Sequence, residues 1–392
     1  MKILMFAPNY LPAIRYGGPV RSSHGLATGL VASGHEVHVF TTNVDGAGVL
    51  DVSLGEQVEL DGVHVRYFPV TTPRRIYYSP AMARAVYAEI ASFDVVHTNG
   101  MFLWPGPRIA RAALRAGVAL FVSPRGMLVP EMISGKSTLV KHAWIRMQER
   151  GCLEGARAIH VTSWAEAEGV RKLGLDLAPL VVIANGVDGP DTLPSEDAIG
   201  EIWDDVPVGR RVAVLARLDW TKGVDLAIEA VRSLTSAQLL IAGHDQIGLQ
   251  AQLEPRLTRD NGTQAGRFIG PVDGTAKWAL LTGADVVVVP SVKESFGMTV
   301  AEALVVGTPV ICTPGVGAAE IVRQLDPACI VERDAGTLAQ ALATLLADQE
   351  RRRVIGQHAV ALMQDAYSWH AIAQQMAVAY QDQTLARELR VA

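Results

Sequence analysis

The run Pro290-Ser291-Val292-Lys293-Glu294-Ser295-Phe296-Gly297 leads into the helical pattern Met298 to Ala303, with carboxylates at Glu294 and Glu302. An apolar strand ends at Pro290, and a helix begins near Gly297. A helix start offers unpaired backbone N–H groups and the positive end of its dipole, so it suits an anion. Gly297 lets a phosphate or a sugar approach the backbone closely. Glu302 falls inside the helix among Ala301, Ala303, Leu304 and Val305, where an unpartnered carboxylate is costly. A pair of sugar hydroxyls is an apt partner, because one carboxylate accepts hydrogen bonds from both. Taken singly, Glu294 reads equally as a helix-start charge and Glu302 as a solvated position. The strand, small-residue loop and helix around them favour a ligand.

A second set of groups lies in Val214-Leu215-Ala216-Arg217-Leu218-Asp219-Trp220-Thr221-Lys222-Gly223. Arg217 follows a strand and Lys222 precedes a helix. Two such cations can neutralise the charge that builds on a diphosphate leaving group, a role a metal ion plays elsewhere. The sequence contains no Asp-x-Asp and no clustered His/Asp/Glu set at ligand spacing. A metal-bridged diphosphate is therefore not expected, and neither is a cofactor. Gly17-Gly18, between the first strand and the first helix, reads as a simplified phosphate loop or as a tight turn. Arg125 follows another strand as a candidate cation, with a turn salt bridge as its bland alternative. His97 and Asn99 end a strand, and His244 follows one in the second half.

The elements that must carry these residues alternate along the chain. Candidate strands are Ile3–Phe6, Glu36–Thr41, His64–Phe68, Asp94–His97, Ala119–Val122, Ala158–Val161 and Val181–Ala184, interleaved with amphipathic helices. An acidic, Pro-containing stretch follows Asn185-Gly186-Val187-Asp188. The alternation then restarts with strands Val212–Leu215, Gln238–Ala242, Arg267–Ile269, Asp285–Val289, Val310–Cys312 and Cys329–Val331. Strands apolar almost throughout belong to parallel sheets covered on both faces, so the fold class is α/β with doubly wound, Rossmann-like domains. The predicted bounds are 1–187 for the first domain, 188–206 for a linker with at most a short helix, and 207–367 for the second. A tail, 368–392, holds a helix over Ser368–Arg387 that returns to the first domain. Ligands then belong at the carboxyl ends of the strands, in a cleft between the domains.

The bulk properties fit this division. A chain of 392 residues exceeds one ordinary core. Its formal charge of −5 divides into +3 over 1–190 and −8 over 191–392. The positive first half suits an anionic acceptor or lipid surface, or is simply uneven, solvated surface charge, while nucleic acid is a poor match without a basic arm. Cys152, Cys312 and Cys329 sit among apolar neighbours, as buried thiols do in a reducing compartment. With no signal-peptide core or membrane span in the pattern, a cytoplasmic protein is expected.

The combination resembles the retaining nucleotide-sugar glycosyltransferases with two Rossmann-like domains: the GT-B fold, family 4, or glycosyl transferases group 1. The resemblance rests on Gly17-Gly18, Pro124-Arg125-Gly126-Met127-Leu128, Asn185-Gly186-Val187-Asp188, Arg217 with Lys222, Glu294 with Glu302, and Ser368-Trp369. It implies that Glu294 contacts donor-sugar hydroxyls and that Glu302 binds the ribose. Ser295, Phe296 and Gly297 then meet the sugar or phosphate, Arg217 and Lys222 meet the diphosphate, and Gly17-Gly18 lies against diphosphate and acceptor. Where such enzymes often carry His-x-His, this chain has His97 and Asn99, so the sugar contact there falls to an amide. The gap between family pattern and residue leaves His97 open between site and core. The expected reaction is retaining, metal-independent transfer of a hexose from UDP- or GDP-sugar to a glycan or a polyprenyl- or lipid-linked acceptor, in cell-surface polysaccharide biosynthesis. Two alternatives are a non-catalytic scaffold of the same fold and a Rossmann-type nucleotide-sugar isomerase or dehydrogenase. The latter lacks its Gly-x-Gly-x-x-Gly fingerprint here. A helix over Lys136–Arg150 mixes Lys136, Lys141, His142, Arg146 and Arg150 with Leu139, Val140, Trp144, Ile145 and Met147. It reads as a core helix with a basic edge, or as a peripheral contact with anionic lipid at the inner face of the membrane.

Overall fold

The computed structural model describes residues 1–134, 137–204 and 206–382. Lys136 and the predicted end of the tail helix at Arg387 lie outside the described residues. The chain divides into two compact units, Met1–Gly186 joined by the residues from Trp369 onward, and Val187–Ser368.

The first unit is built on an eight-stranded sheet. From edge to edge its strands are Leu180–Val182, Ala158–Val161, Ala119–Ser123, Val95–Asn99, Lys2–Phe6, Glu36–Thr42, Val63–Phe68 and Gln57–Leu60. All pairs are parallel except the last, where Gln57–Leu60 runs against Val63–Phe68. Ile3, Leu4 and Met5 are fully buried, as expected of a strand with helices on both faces. The helix Gly18–Ala32 packs against the terminal helix Trp369–Gln381. Gly25 makes that contact possible: a Cβ there would lie 2.1 Å from the Trp369 ring. The tail thereby seats Tyr380 fully inside the first unit.

The second unit holds a five-stranded parallel sheet in the order Gly266–Gly270, Gln238–Ala242, Arg211–Leu215, Val286–Val289, Val310–Cys312. Two expectations need correction. The stretch expected as a linker does contain a short helix, Glu196–Trp203, but it groups with the second unit and its Trp203 is fully buried. Cys329–Val331 is not a strand. Pro327 opens a 3-10 turn through Cys329, and only a single bridge joins Ile330 to Cys312. The structure also adds an 18-residue helix, Gln349–Ala366.

Candidate active site

In an open parallel sheet, ligands gather beyond the carboxyl ends of the strands where the winding reverses. In the second unit that point lies between Arg211–Leu215 and Val286–Val289, which pair side by side although far apart in sequence. The loop after the first of these strands carries Arg217 and Lys222, and the loop after the second carries Ser291 and Glu294. The fold brings the two loops together: the Val292 N–H donates to the Thr221 carbonyl at 2.7 Å.

Within the first loop, Asp219 accepts from the Thr221 N–H at 2.8 Å and from its hydroxyl at 2.6 Å, which fixes the turn before Lys222. These bonds, with the charges of Arg217 and Lys222, hold the Asp219 carboxyl below its usual range. Lys222 Nζ lies 3.1 Å from Glu294 Oε1, and the Ser291 hydroxyl donates to the same oxygen at 2.7 Å. The backbone of Glu294 is clamped as well. Its N–H donates to Gly315 O at 3.0 Å, and its carbonyl accepts from Gly317 N at 3.1 Å. Arg217 is exposed and makes no hydrogen bond or ion pair with another described residue. Lys222 and Glu294 are therefore held in a fixed pair beside a second cation.

Ser295 is half-buried, and Phe296 is buried with its carbonyl accepting from Ala318 N at 2.6 Å. Gly297 adopts φ 99° and caps the helix Met298–Val305. A side chain there would be strained and would strike Val316 at 2.7 Å. Glu302 is buried in this helix, but its partner was not legible in the sequence. Lys277 Nζ lies 2.9 Å from Glu302 Oε1, and both side chains are at most 10% exposed. Lys277 comes from the helix Gly274–Gly283, and its ammonium sits 3.9 Å from the Trp278 ring centroid. The signal available in the sequence was a lysine set among Ala276, Trp278, Ala279 and Leu280. His244 is exposed in the turn after Gln238–Ala242, and its carbonyl accepts from Leu218 N at 2.9 Å, beside Arg217.

The first unit gathers a different set at the ends of its own strands. Gly17, at φ 65°, starts the helix of which Gly18 is the first residue. Arg125 does not form the turn salt bridge. Its Nε donates to Asn99 Oδ1 at 2.9 Å and its Nη1 to Asn185 Oδ1 at 2.7 Å, while Nη2 is buried without a hydrogen-bond partner. Desolvation lowers this guanidinium to about 10 against the opposing charge of Glu166. Asn99 is buried, and its amide also donates to Phe6 O at 3.1 Å. Both ends of the Asn99 amide are thus engaged within the first unit, the oxygen by Arg125 and the nitrogen by Phe6 O. His97 is a core residue. Its Nδ1 pairs with Tyr380 Oη at 2.6 Å, and burial pushes its pKa well down, so the ring is neutral. A carboxyl that the sequence reading missed, Glu149, accepts from Phe102 N at 3.2 Å and Trp144 Nε1 at 3.0 Å. Burial lifts it to about 7.

One group of possible metal ligands depends on strand register. The sequence showed no clustered set, yet register brings His38 and His64 side by side on neighbouring strands, with Glu36 two positions before His38. This group sits at the opposite end of the sheet from Asn99. Glu36 is already paired, with Lys2 Nζ at 3.0 Å and His38 Nε2 at 2.7 Å. An ammonium on the only carboxylate makes the set a poor cation site.

Two Rossmann-like units with paired cations and carboxylates at strand ends define the class of GT-B glycosyltransferases. Residues 208–361 match the family described as Glycosyl transferases group 1, and residues 17–186 match the Glycosyl transferase 4-like domain. The chain belongs to this family, and its activity is glycosyl transfer. That finding removes the isomerase or dehydrogenase alternative. An uncharacterised glycosyltransferase of Methanocaldococcus jannaschii is 27% identical, with 97% of this chain and 98% of that protein covered. Sucrose-phosphate synthase of Thermosynechococcus elongatus has the same fold, with a TM-score of 0.75 at 21% identity, covering 97% of this chain and 98% of that one. So does the Anabaena protein HepE in complex with UDP and glucose, with a TM-score of 0.71 at 20% identity, covering 96% and 98%. Among the described residues, no helix is long and apolar enough to cross a membrane.

Proposed function

We propose that this glycosyltransferase moves a hexose from a nucleoside diphosphate, UDP or GDP, with retention of configuration and without a metal ion. The observation that carries the reading is the Lys222–Glu294 pair at 3.1 Å beside the unpartnered Arg217. The UDP and glucose held by HepE support the donor class. In this reading the second unit binds the donor, with Glu294 on the sugar hydroxyls and Glu302 on the ribose. Backbone groups of Ser295, Phe296 and Gly297 lie against the sugar or phosphate. The bond from the anomeric carbon to the diphosphate breaks, and Arg217 and Lys222 neutralise the charge that passes to the leaving oxygen. The acceptor hydroxyl attacks the same face, and its proton goes to that phosphate oxygen. Anomeric-proton NMR of the product, made in the presence of EDTA, tests both halves of the reading. A retained anomer is expected; an inverted anomer, or activity that EDTA abolishes and metal restores, overturns the corresponding half.

The acceptor proposed here is lipid-linked, with the enzyme peripheral to a cytoplasmic membrane face and its product entering cell-surface polysaccharide. Support comes from the helix Thr138–Trp144 and the π-helical segment Ile145–Glu149. Leu139, Val140 and Met147 are 85%, 66% and 66% exposed, which departs from the core-helix reading. Arg146 and His142 are exposed among them. Lys141 and Arg150 are spent on Met132 O and Glu154, so apolar insertion outweighs charge in this contact. Sedimentation with vesicles containing anionic lipid is expected, and Leu139→Asp with Val140→Asp should abolish it. A wild-type protein that stays in the supernatant would point to a soluble acceptor.

A further inference from the structure

A buried lysine is expensive to keep charged, and a buried carboxylate likewise, unless each satisfies the other in good geometry. Lys277 and Glu302 meet that condition at 2.9 Å, on two different helices of the second unit. An apolar pair of similar volume would fill the space at no cost in unpaired charge. The retention of a charged pair at this place calls for a use of the carboxylate. We propose that Lys277 is a positioning residue for recognition of the donor's ribose: it fixes the Glu302 carboxylate through Oε1, so that the group is already oriented when the 2′- and 3′-hydroxyls arrive. This rests on the reading of Glu302 as the ribose ligand.

Two features of the site support it. Lys277 is itself clamped, because its ammonium lies over the Trp278 ring at 3.9 Å from the centroid. Its position is therefore set from two sides, by a ring face and by an oxygen. Glu302 stands on the helix capped by Gly297, whose preceding loop carries Glu294, so ribose and sugar ligands share one rigid element. Preorganisation of this kind reduces the ordering cost of binding and sharpens rejection of a ligand that lacks the hydroxyl.

The test is calorimetric binding of UDP and GDP, each beside its 2′-deoxy counterpart, to the full-length protein. The wild type should prefer the ribonucleotide about tenfold or more, the effect of one hydrogen bond to a charged group. Lys277→Met should bring that preference to near unity, Lys277→Arg should keep most of it, and Glu302→Gln should lose it. Adding Lys277→Met to Glu302→Gln should change the ratio no further, since the lysine acts through the carboxylate. If Glu302→Gln loses the preference but Lys277→Met in folded protein keeps it, the positioning role is wrong and the ribose reading stands. If Glu302→Gln keeps it, or the wild type shows none, the ribose reading itself fails. Should Lys277→Met not melt cooperatively, Lys277→Gln is read in its place by the same ratio. A purely structural lysine would lower affinity for both nucleotides equally, and that outcome also overturns the proposal.

Discussion

Replacing Lys222 with Ala, or Arg217 with Ala, is expected to lower kcat by ~10²–10³-fold, the range seen when one donor to a developing negative charge is removed. The two variants should differ in their side effects. Arg217 is exposed and pairs with no other described residue, so its loss should leave the melting temperature unchanged. Lys222 is paired with Glu294, both side chains 18% exposed, and its removal leaves that carboxylate with the Ser291 hydroxyl as its partner. The Ser291 hydroxyl still donates to that carboxylate after the change, and the main loss should appear in turnover. The measurement is steady-state kinetics with the nucleotide sugar that supports transfer, alongside a thermal melt. Turnover within tenfold of wild type for both variants would remove the diphosphate role. Glu302→Ala makes the contrast, because a ribose contact is remote from the breaking bond and should raise KM while sparing kcat.

These sites were partly legible in the sequence for identifiable reasons. Strands such as Ile3–Phe6 and Val286–Val289 are apolar on both faces because helices cover both, and a continuous apolar run signals that without any tertiary information. Glu294 and Glu302 were legible because a local pattern of strand, loop and helix start frames them. Lys277 was not, because a single lysine in an amphipathic stretch looks solvated, and only the packing of two helices reveals it as buried. Asn99 read as a site group from its place at a strand end. Its bond to Arg125, which comes from a turn 26 positions away, was not legible there. The neighbourhood of Glu36, His38 and His64 depends on strand register, which one sequence does not state.

The stretch 188–206 shows how composition misleads, and it yields the largest stability effect expected here. Its acidic residues and prolines read as a linker with room for one short helix, yet Trp203 at the end of the helix Glu196–Trp203 is fully buried against the helix Gly274–Gly283. The indole N–H donates to Leu280 O at 3.2 Å, and the Arg211 guanidinium lies 5.7 Å from the ring centroid. Arg211 in turn donates from Nε to Val206 O at 2.7 Å, which ties the end of the stretch to the first strand of the sheet. Trp203→Ala should cost ~3–5 kcal/mol, the transfer term plus the cavity left by an aromatic in a packed core. Against a total of ~5–15 kcal/mol for an ordinary domain, that is a large share. For a unit of this size it corresponds to roughly 6–20 °C in melting temperature. Trp203→Phe keeps most of the apolar volume and loses chiefly the bond to Leu280, about 1 kcal/mol. Calorimetry of both variants checks the ordering. A Trp203→Ala protein that melts with the wild type would mean the stretch is dispensable to the second unit, and that the linker reading was right after all. The expected result instead is a second unit that begins to fold at Val187, with the helix bearing Trp203 closing one side of its core. The helix Gly274–Gly283 that packs on Trp203 also carries Lys277. Trp203→Ala should therefore loosen nucleotide binding as well, at temperatures where the protein is still folded.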